Sequence, residues 1–243
     1  MHVRKEQTSA AGADSAPRRT GQAERRAQSR AALLESAARG LSRYGYGNLV
    51  LEQVARSAGY TRGALYHQFK DKQELTLAAL EWVLATWEEE VGVLVERERE
   101  PVAALLAMAR GHAVFCRRDI ARMAMALRLE LGGQDHPVGR AVEEAYAALV
   151  ADCRRLVEAG RATGAVPPGP PADTLALAFV GALEGAVAAL AGRAPQDALL
   201  AERVAVGVLG IRPLHPDSLG TPDSPNPDSP DKVHSTGRTE NRS

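Results

Sequence analysis

Val54–Phe69 reads VARSAGYTRGALYHQF, and the spacing within these sixteen residues decides the fold. Ala55 is small enough for a second helix to cross closely over it. Gly59, four positions on, tolerates the positive φ that a tight turn between two helices needs. Thr61 stands where a hydroxyl caps the following helix, and Leu65 points back between the pair. These positions specify two short helices at a steep angle. That arrangement brings the N-terminal end of the second helix to the base edges of a B-DNA major groove. An αα-corner with no ligand uses the same positions, and the flanking chain separates the two readings.

Upstream, Leu33, Leu34, Ala37, Ala38 and Leu41 share one face of a helix that follows Arg30 and closes at Gly45. Downstream, Asp71, Lys72 and Leu75 open a long helix immediately after Phe69. With these flanks the run AGYTRGALYHQFKDKQEL, Ala58–Leu75, resembles the DNA-binding domain of TetR-family transcriptional regulators, over a stretch from about Arg26 to Leu80.

The resemblance implies an all-α chain, with an N-terminal three-helix helix-turn-helix DNA-binding domain followed by a helical ligand-binding and dimerisation domain. It implies a homodimer on a palindromic double-stranded operator, acting as a repressor released by a small effector. Residue by residue, Arg62 and Ala64 fall where the recognition helix faces bases; arginine suits guanine O6 and N7, and alanine a thymine methyl. Thr61, Tyr66, His67 and Lys72 fall at phosphate contacts, and Arg26 and Arg30 join the DNA-binding set from the preceding helix. Phosphate contacts position the domain and base contacts specify the site. Two departures stand out. Leu49 and Val50 occupy positions where the family often has hydroxyl residues, so Asn48 is expected to take over the cap of the second helix. Gln68 replaces a common His.

Net charge is zero over the 243 residues, yet it is unevenly distributed. Residues 1–80 hold 13 Lys/Arg against 7 Asp/Glu, residues 81–212 hold 14 against 18, and residues 213–243 hold 3 against 5. Positive charge therefore gathers on the segment with the helix-turn-helix, as a polyanionic partner requires. Cys116 and Cys153 show neither CxxC nor metal spacing and read as buried thiols in a reducing compartment. The N-terminus lacks the apolar run of a signal peptide, and cytoplasm is expected.

Four segments are expected: a disordered basic arm over 1–22, the DNA-binding domain over 23–80, the effector and dimerisation domain over 81–212, and a disordered Pro/Asp/Ser tail over 213–243. Arg18, Arg19, Arg25 and Arg26 suit an arm that follows a minor groove. Beyond residue 80 the periodicity predicts helices from Asp71 to about Arg97, Pro101 to near Arg118, Ile120–Leu131, Val138–Ala162, Ala172–Ala191 and Pro195–Leu209. Ala172–Ala191 is nearly long enough to span a bilayer. Its internal Glu184 and its small residues favour a close helix interface instead, and Gly181, Ala182, Gly185, Leu199 and Val206 are assigned to a dimer contact.

Met108, His112 and Phe115 share an apolar stripe that Met123, Tyr146 and Phe179 also face, and the six are candidate effector contacts. Ordinary core packing explains the same stripe. Gly-rich phosphate loops, nucleophile elbows and metal motifs are absent, so no enzyme activity, cofactor or metal is expected. The competing function is a DNA-binding protein without a small effector, controlled by a protein partner or architectural.

Overall fold

The computed structural model describes residues 16–211, with side chains from Gly21 onward. Among the described residues every regular element is helical: α1 Ala16–Tyr44, α2 Leu51–Ser57, α3 Arg62–Tyr66, α4 Lys72–Trp87, α5 Val93–Glu96, α6 Pro101–Phe115, α7 Met123–Leu131, α8 Pro137–Ala162, α9 Ala172–Leu190 and α10 Gln196–Leu209. The expected arm is corrected at its inner end. Helix α1 already begins at Ala16, because Pro17 suits a first helical turn and the Arg, Gln, Ala and Glu that follow favour helix. Residues 1–15, the tail 212–243 and the side chains of Arg18 and Arg19 lie outside the described part.

The first three helices close on one apolar centre. Leu33, Ala37 and Leu41 of α1 are fully buried against Leu65, Phe69 and Leu75. Ser36 reaches the same centre and satisfies its hydroxyl on the Val54 carbonyl at 2.9 Å. Helix α4 starts with a reciprocal cap: Asp71 Oδ1 accepts from the Glu74 amide at 2.9 Å, and Glu74 Oε2 accepts from the Lys70 amide at 2.8 Å. The single helix expected from Asp71 to Arg97 contains a π-helical turn at Glu88–Gly92 between α4 and α5.

Helix α6 lies at the centre of the second half, covered by α8, α10 and the π turn, which is why it is apolar nearly all round. Helices α8, α9 and α10 pack side by side. Helix α9 is long and apolar enough to cross a membrane by length and composition. In this fold Leu175, Ala176, Phe179, Val180, Leu183 and Val187 turn one of its faces into the core, and Glu184 beside them is half-buried. The opposite face is open. Leu177 on α9 and Leu199 on α10 are more than half exposed, and a Cβ placed on Gly181 or Gly185 would meet nothing within 4 Å.

Candidate nucleic-acid interface and the cavity behind it

The turn between α2 and α3 forms as its residues require. Gly59 adopts φ +79°, the Tyr60 amide donates to the Ala55 carbonyl at 2.9 Å, and Thr61 Oγ1 accepts from the Ala64 amide at 3.2 Å. Leu65 is buried and anchors α3, leaving Arg62, Tyr66 and His67 exposed on its outer face. Ala64 is half-buried beside them. The Arg62 guanidinium lies 5.3 Å over the Tyr66 ring and pairs with Glu52 at 2.8 Å. An exposed pair of this kind is weak, so the guanidinium remains free to take another partner.

Arg26 and Arg30 are exposed on α1, and Arg30 stacks 4.7 Å over the Phe69 ring. Gln68 donates to Ser29 Oγ at 2.9 Å and so ties α1 to the end of α3, a bridging role that its sequence context did not reveal. Asn48 requires correction. The N-cap of α2 is Val50, with no side-chain bond, whereas Asn48 Nδ2 donates backwards to the Tyr44 carbonyl at 3.2 Å. The turn at Gly45, with φ +74°, brings Asn48 back over the end of α1.

Lys72 is half-buried. Its Nζ donates to the Gly47 carbonyl at 2.9 Å and lies 4.8 Å over the Tyr46 ring, and burial lowers its pKa. The same loop is gripped from the other side. Glu130 at the end of α7 accepts from the Tyr46 amide at 2.5 Å and the Gly47 amide at 2.6 Å. A further link runs from Ser42 Oγ to the Ile120 carbonyl at 3.0 Å. The helix-turn-helix is thus pinned to α7 and to the turn before it. Nothing in the sequence pattern singled out Glu130, because its partners are 83 and 84 positions away.

On the opposite side of α7 lies a cavity of about 480 Å³ between α4, α6, α8 and α9. His112, Phe115 and Tyr146 line it, joined by Trp87, Leu149 and Glu184. Met108, Met123 and Phe179 do not line it and are corrected to core, each at most 4% exposed. Met108 lies one helical turn from His112, where α8 covers α6, and its sulfur meets Cys153 Sγ at 3.6 Å. Phe179 is five residues from Glu184, which rotates it about 140° around α9 at 3.6 residues per turn.

Trp87 Nε1 donates to His112 Nδ1 at 3.2 Å, and His112 Nε2 lies 3.8 Å from Glu184 and 3.6 Å from Cys116 Sγ. Burial lowers the His112 pKa although Glu184 opposes it. Burial, then the Glu184 charge, raises the Tyr146 hydroxyl and pushes the Cys116 thiol up to about 12. Two hollows adjoin the cavity. One of about 580 Å³, between α1, α2 and the turn after α6, shares Cys116 and Arg122 with it and includes Arg39 and Arg43. The other, about 520 Å³, shares Tyr146 and Glu184 and opens at Gly181 and Gly185. Ala182, Leu199 and Val206 lie on the same pair of helices, Leu199 exposed and the other two half-buried.

Two short helices turned by a positive-φ glycine, with a basic and aromatic outer face, on a helical body that holds a cavity, make up a helix-turn-helix fold. Residues 33–79 match the family described as bacterial regulatory proteins, tetR family. The HTH-type transcriptional regulator CymR of Pseudomonas putida is 36% identical over 89 residues, a match that spans 37% of this chain and only 40% of that regulator's length. Solved structures share the fold over most of their length. A TetR-family transcriptional regulator from Streptomyces coelicolor is 23% identical, with 76% of this chain and 95% of that one covered at a TM-score of 0.64. AibR, in complex with isovaleryl coenzyme A and operator DNA, is 21% identical, with 75% and 96% covered at a TM-score of 0.61.

Proposed function

We propose that this chain binds a palindromic operator as a homodimer and acts as a repressor whose DNA affinity a small, mostly apolar effector lowers. Residues 23–80 serve as the DNA-binding domain and residues 81–212 as the effector and dimerisation domain, in the cytoplasm where the DNA is. The observation that carries this proposal is the outer face of α3. Arg62, Tyr66 and His67 are exposed on a helix anchored by buried Leu65, and Arg26, Arg30 and Lys72 stand on the flanking helices. Arg62 and Ala64 take the base contacts; Thr61, Tyr66, His67 and Lys72 the phosphates. Asn48 contributes through its exposed position on the α1–α2 loop rather than as a cap.

Recognition helices reach successive major grooves when a two-fold axis holds them about 34 Å apart. The open faces of α9 and α10, with Gly181, Ala182, Gly185, Leu199 and Val206, supply a surface for that axis. AibR, solved with both a ligand and operator DNA, supports pairing the two activities on this fold. The cavity between α4 and α9 gives an effector a place, and its presence favours ligand control over control by a protein partner alone. His112, Phe115 and Tyr146 are the effector contacts in this proposal.

The test is selection of bound duplexes from a random pool by the full chain. The expected product is an inverted repeat whose half-sites lie on one face of the duplex. A product without two-fold symmetry refutes the homodimeric mode, and no enrichment refutes specific DNA binding.

A further inference from the structure

Helix α9 carries two charged side chains, Asp173 in its first turn and Glu184 in its apolar stretch. The Glu184 side chain is 20% exposed and faces the cavity. A carboxylate withdrawn from water is costly unless cations or donors replace its hydration. Among the described residues no Lys or Arg comes within 4.0 Å of it, and the only basic group that does is His112, at 3.8 Å. That imidazole is held neutral by geometry. The indole N–H of Trp87 is a donor only, so His112 Nδ1, 3.2 Å away, must offer its lone pair. Protonation would set two donors face to face.

The other candidates for a counter-charge are engaged or distant. Arg128 gives its charge to Glu143 at 3.1 Å and stacks 3.9 Å from the Tyr146 ring. Arg122 is exposed at the rim of the cavity, beyond ion-pair reach of Glu184. The Tyr146 hydroxyl and Cys116 thiol are both held protonated, so they offer dipoles and no charge. Glu88 and Asp152 also line the cavity but are exposed to solvent, Asp152 paired with Arg155; the rest of the lining is apolar or aromatic, with Trp87, Phe115 and Tyr146 supplying rings and Leu80 and Val83 the aliphatic end. Aromatic faces attract a cation, most strongly where water is excluded.

We infer that this cavity takes a lipophilic monocation, an alkyl- or arylammonium whose charged centre sits beside Glu184 among the aromatic rings and whose apolar part extends toward Leu80 and Val83. The inference names the ligand class for the effector site proposed above and rests on that proposal for its biological meaning; the charge preference itself needs no DNA. The rival chemistry is an anionic amphipath with its head at Arg122.

The experiment titrates the full chain, without DNA, with decyltrimethylammonium, decanol and decanoate below their aggregation limits, following heat and tryptophan fluorescence. The ammonium ion is expected to bind at least about tenfold more tightly than decanol, the scale of a desolvated cation–aromatic contact, with decanoate weakest. Glu184→Gln should remove that advantage and leave decanol unchanged. Decanoate binding as well as the ammonium ion overturns the inference, as does equal ammonium affinity in the variant or no binding by any of the three. The comparison among ligands on the unaltered chain needs no variant, so a folding defect in Glu184→Gln does not blunt it. Failure to select an operator, by contrast, would refute the regulatory proposal and leave the charge preference standing.

Discussion

Replacing Glu130 by alanine removes the one side chain of α7 that holds the loop ahead of α2. The carboxylate accepts two backbone donors, at 2.5 and 2.6 Å, and its charge also favours the ammonium form of Lys72 across the loop. Hydrogen bonds to a charged group are worth about 1.5–3 kcal/mol each. Gly47 is exposed, so its amide recovers water once the carboxylate is gone, whereas the amide of half-buried Tyr46 recovers less. A loss of about 2–3 kcal/mol follows, which lowers Tm by roughly 4–12 °C for a chain of this size. Glu130→Gln keeps one acceptor oxygen and should lose about half as much. The assay is calorimetry paired with amide hydrogen exchange. Protection at Tyr46 and Gly47 should fall while α9 and α10 keep theirs. If the clamp also transmits effector binding, the ligand-induced change in operator affinity should shrink toward unity. An unchanged Tm together with unchanged exchange at both amides refutes the reasoning.

Three other outcomes are expected. Phe179→Ala should cost about 3–5 kcal/mol of stability, as a buried aromatic does, and leave the ranking of ligands unchanged; a changed ranking at unchanged stability would return Phe179 to the cavity. Asp197, buried on α10 and gripped by Arg117 at 2.7 and 2.9 Å, has its carboxyl pKa lowered first by that hydrogen bond. A depressed pKa contributes stability above the unfolded value near 3.8 and loses it as pH falls through the folded value. The Tm advantage over Asp197→Asn should therefore be full at pH 7 and shrink as pH falls below the unfolded value, and an advantage that stays constant through the acid range contradicts the pairing. Gly185→Arg should shift light scattering from dimer to monomer, since its Cβ position is open in the single chain; a dimer that survives the change places the two-fold contact elsewhere.

Local signals were legible in the sequence because short-range spacing encodes them. Gly59, Thr61 and Leu65 fix a turn, a cap and an anchor within seven residues, and all three act as expected. The six long or mid-length helices beyond residue 70 follow from apolar periodicity bounded by Pro and Gly, with ends displaced by a few residues. Periodicity could not separate core from cavity. Met108 and His112 share a face of α6, yet Met108 is buried against Cys153 whereas His112 lines the cavity. Charge at long separation was equally hidden, as with Glu130 on the α1–α2 loop. Glu184 carries in an apolar cavity the same desolvation cost that argues against a membrane span. The π turn at Glu88–Gly92 had no signal in the helical periodicity.

Specific operator recognition by α3 is measured most directly by fluorescence anisotropy, with the selected duplex and a scrambled duplex titrated at matched, moderate salt. The unaltered chain should prefer the selected duplex, and Arg62→Ala should lose about 1–3 kcal/mol on it while relaxing preference at a single base position. Equal affinity for the two duplexes, or an Arg62→Ala variant with undiminished preference, would contradict base recognition through this helix.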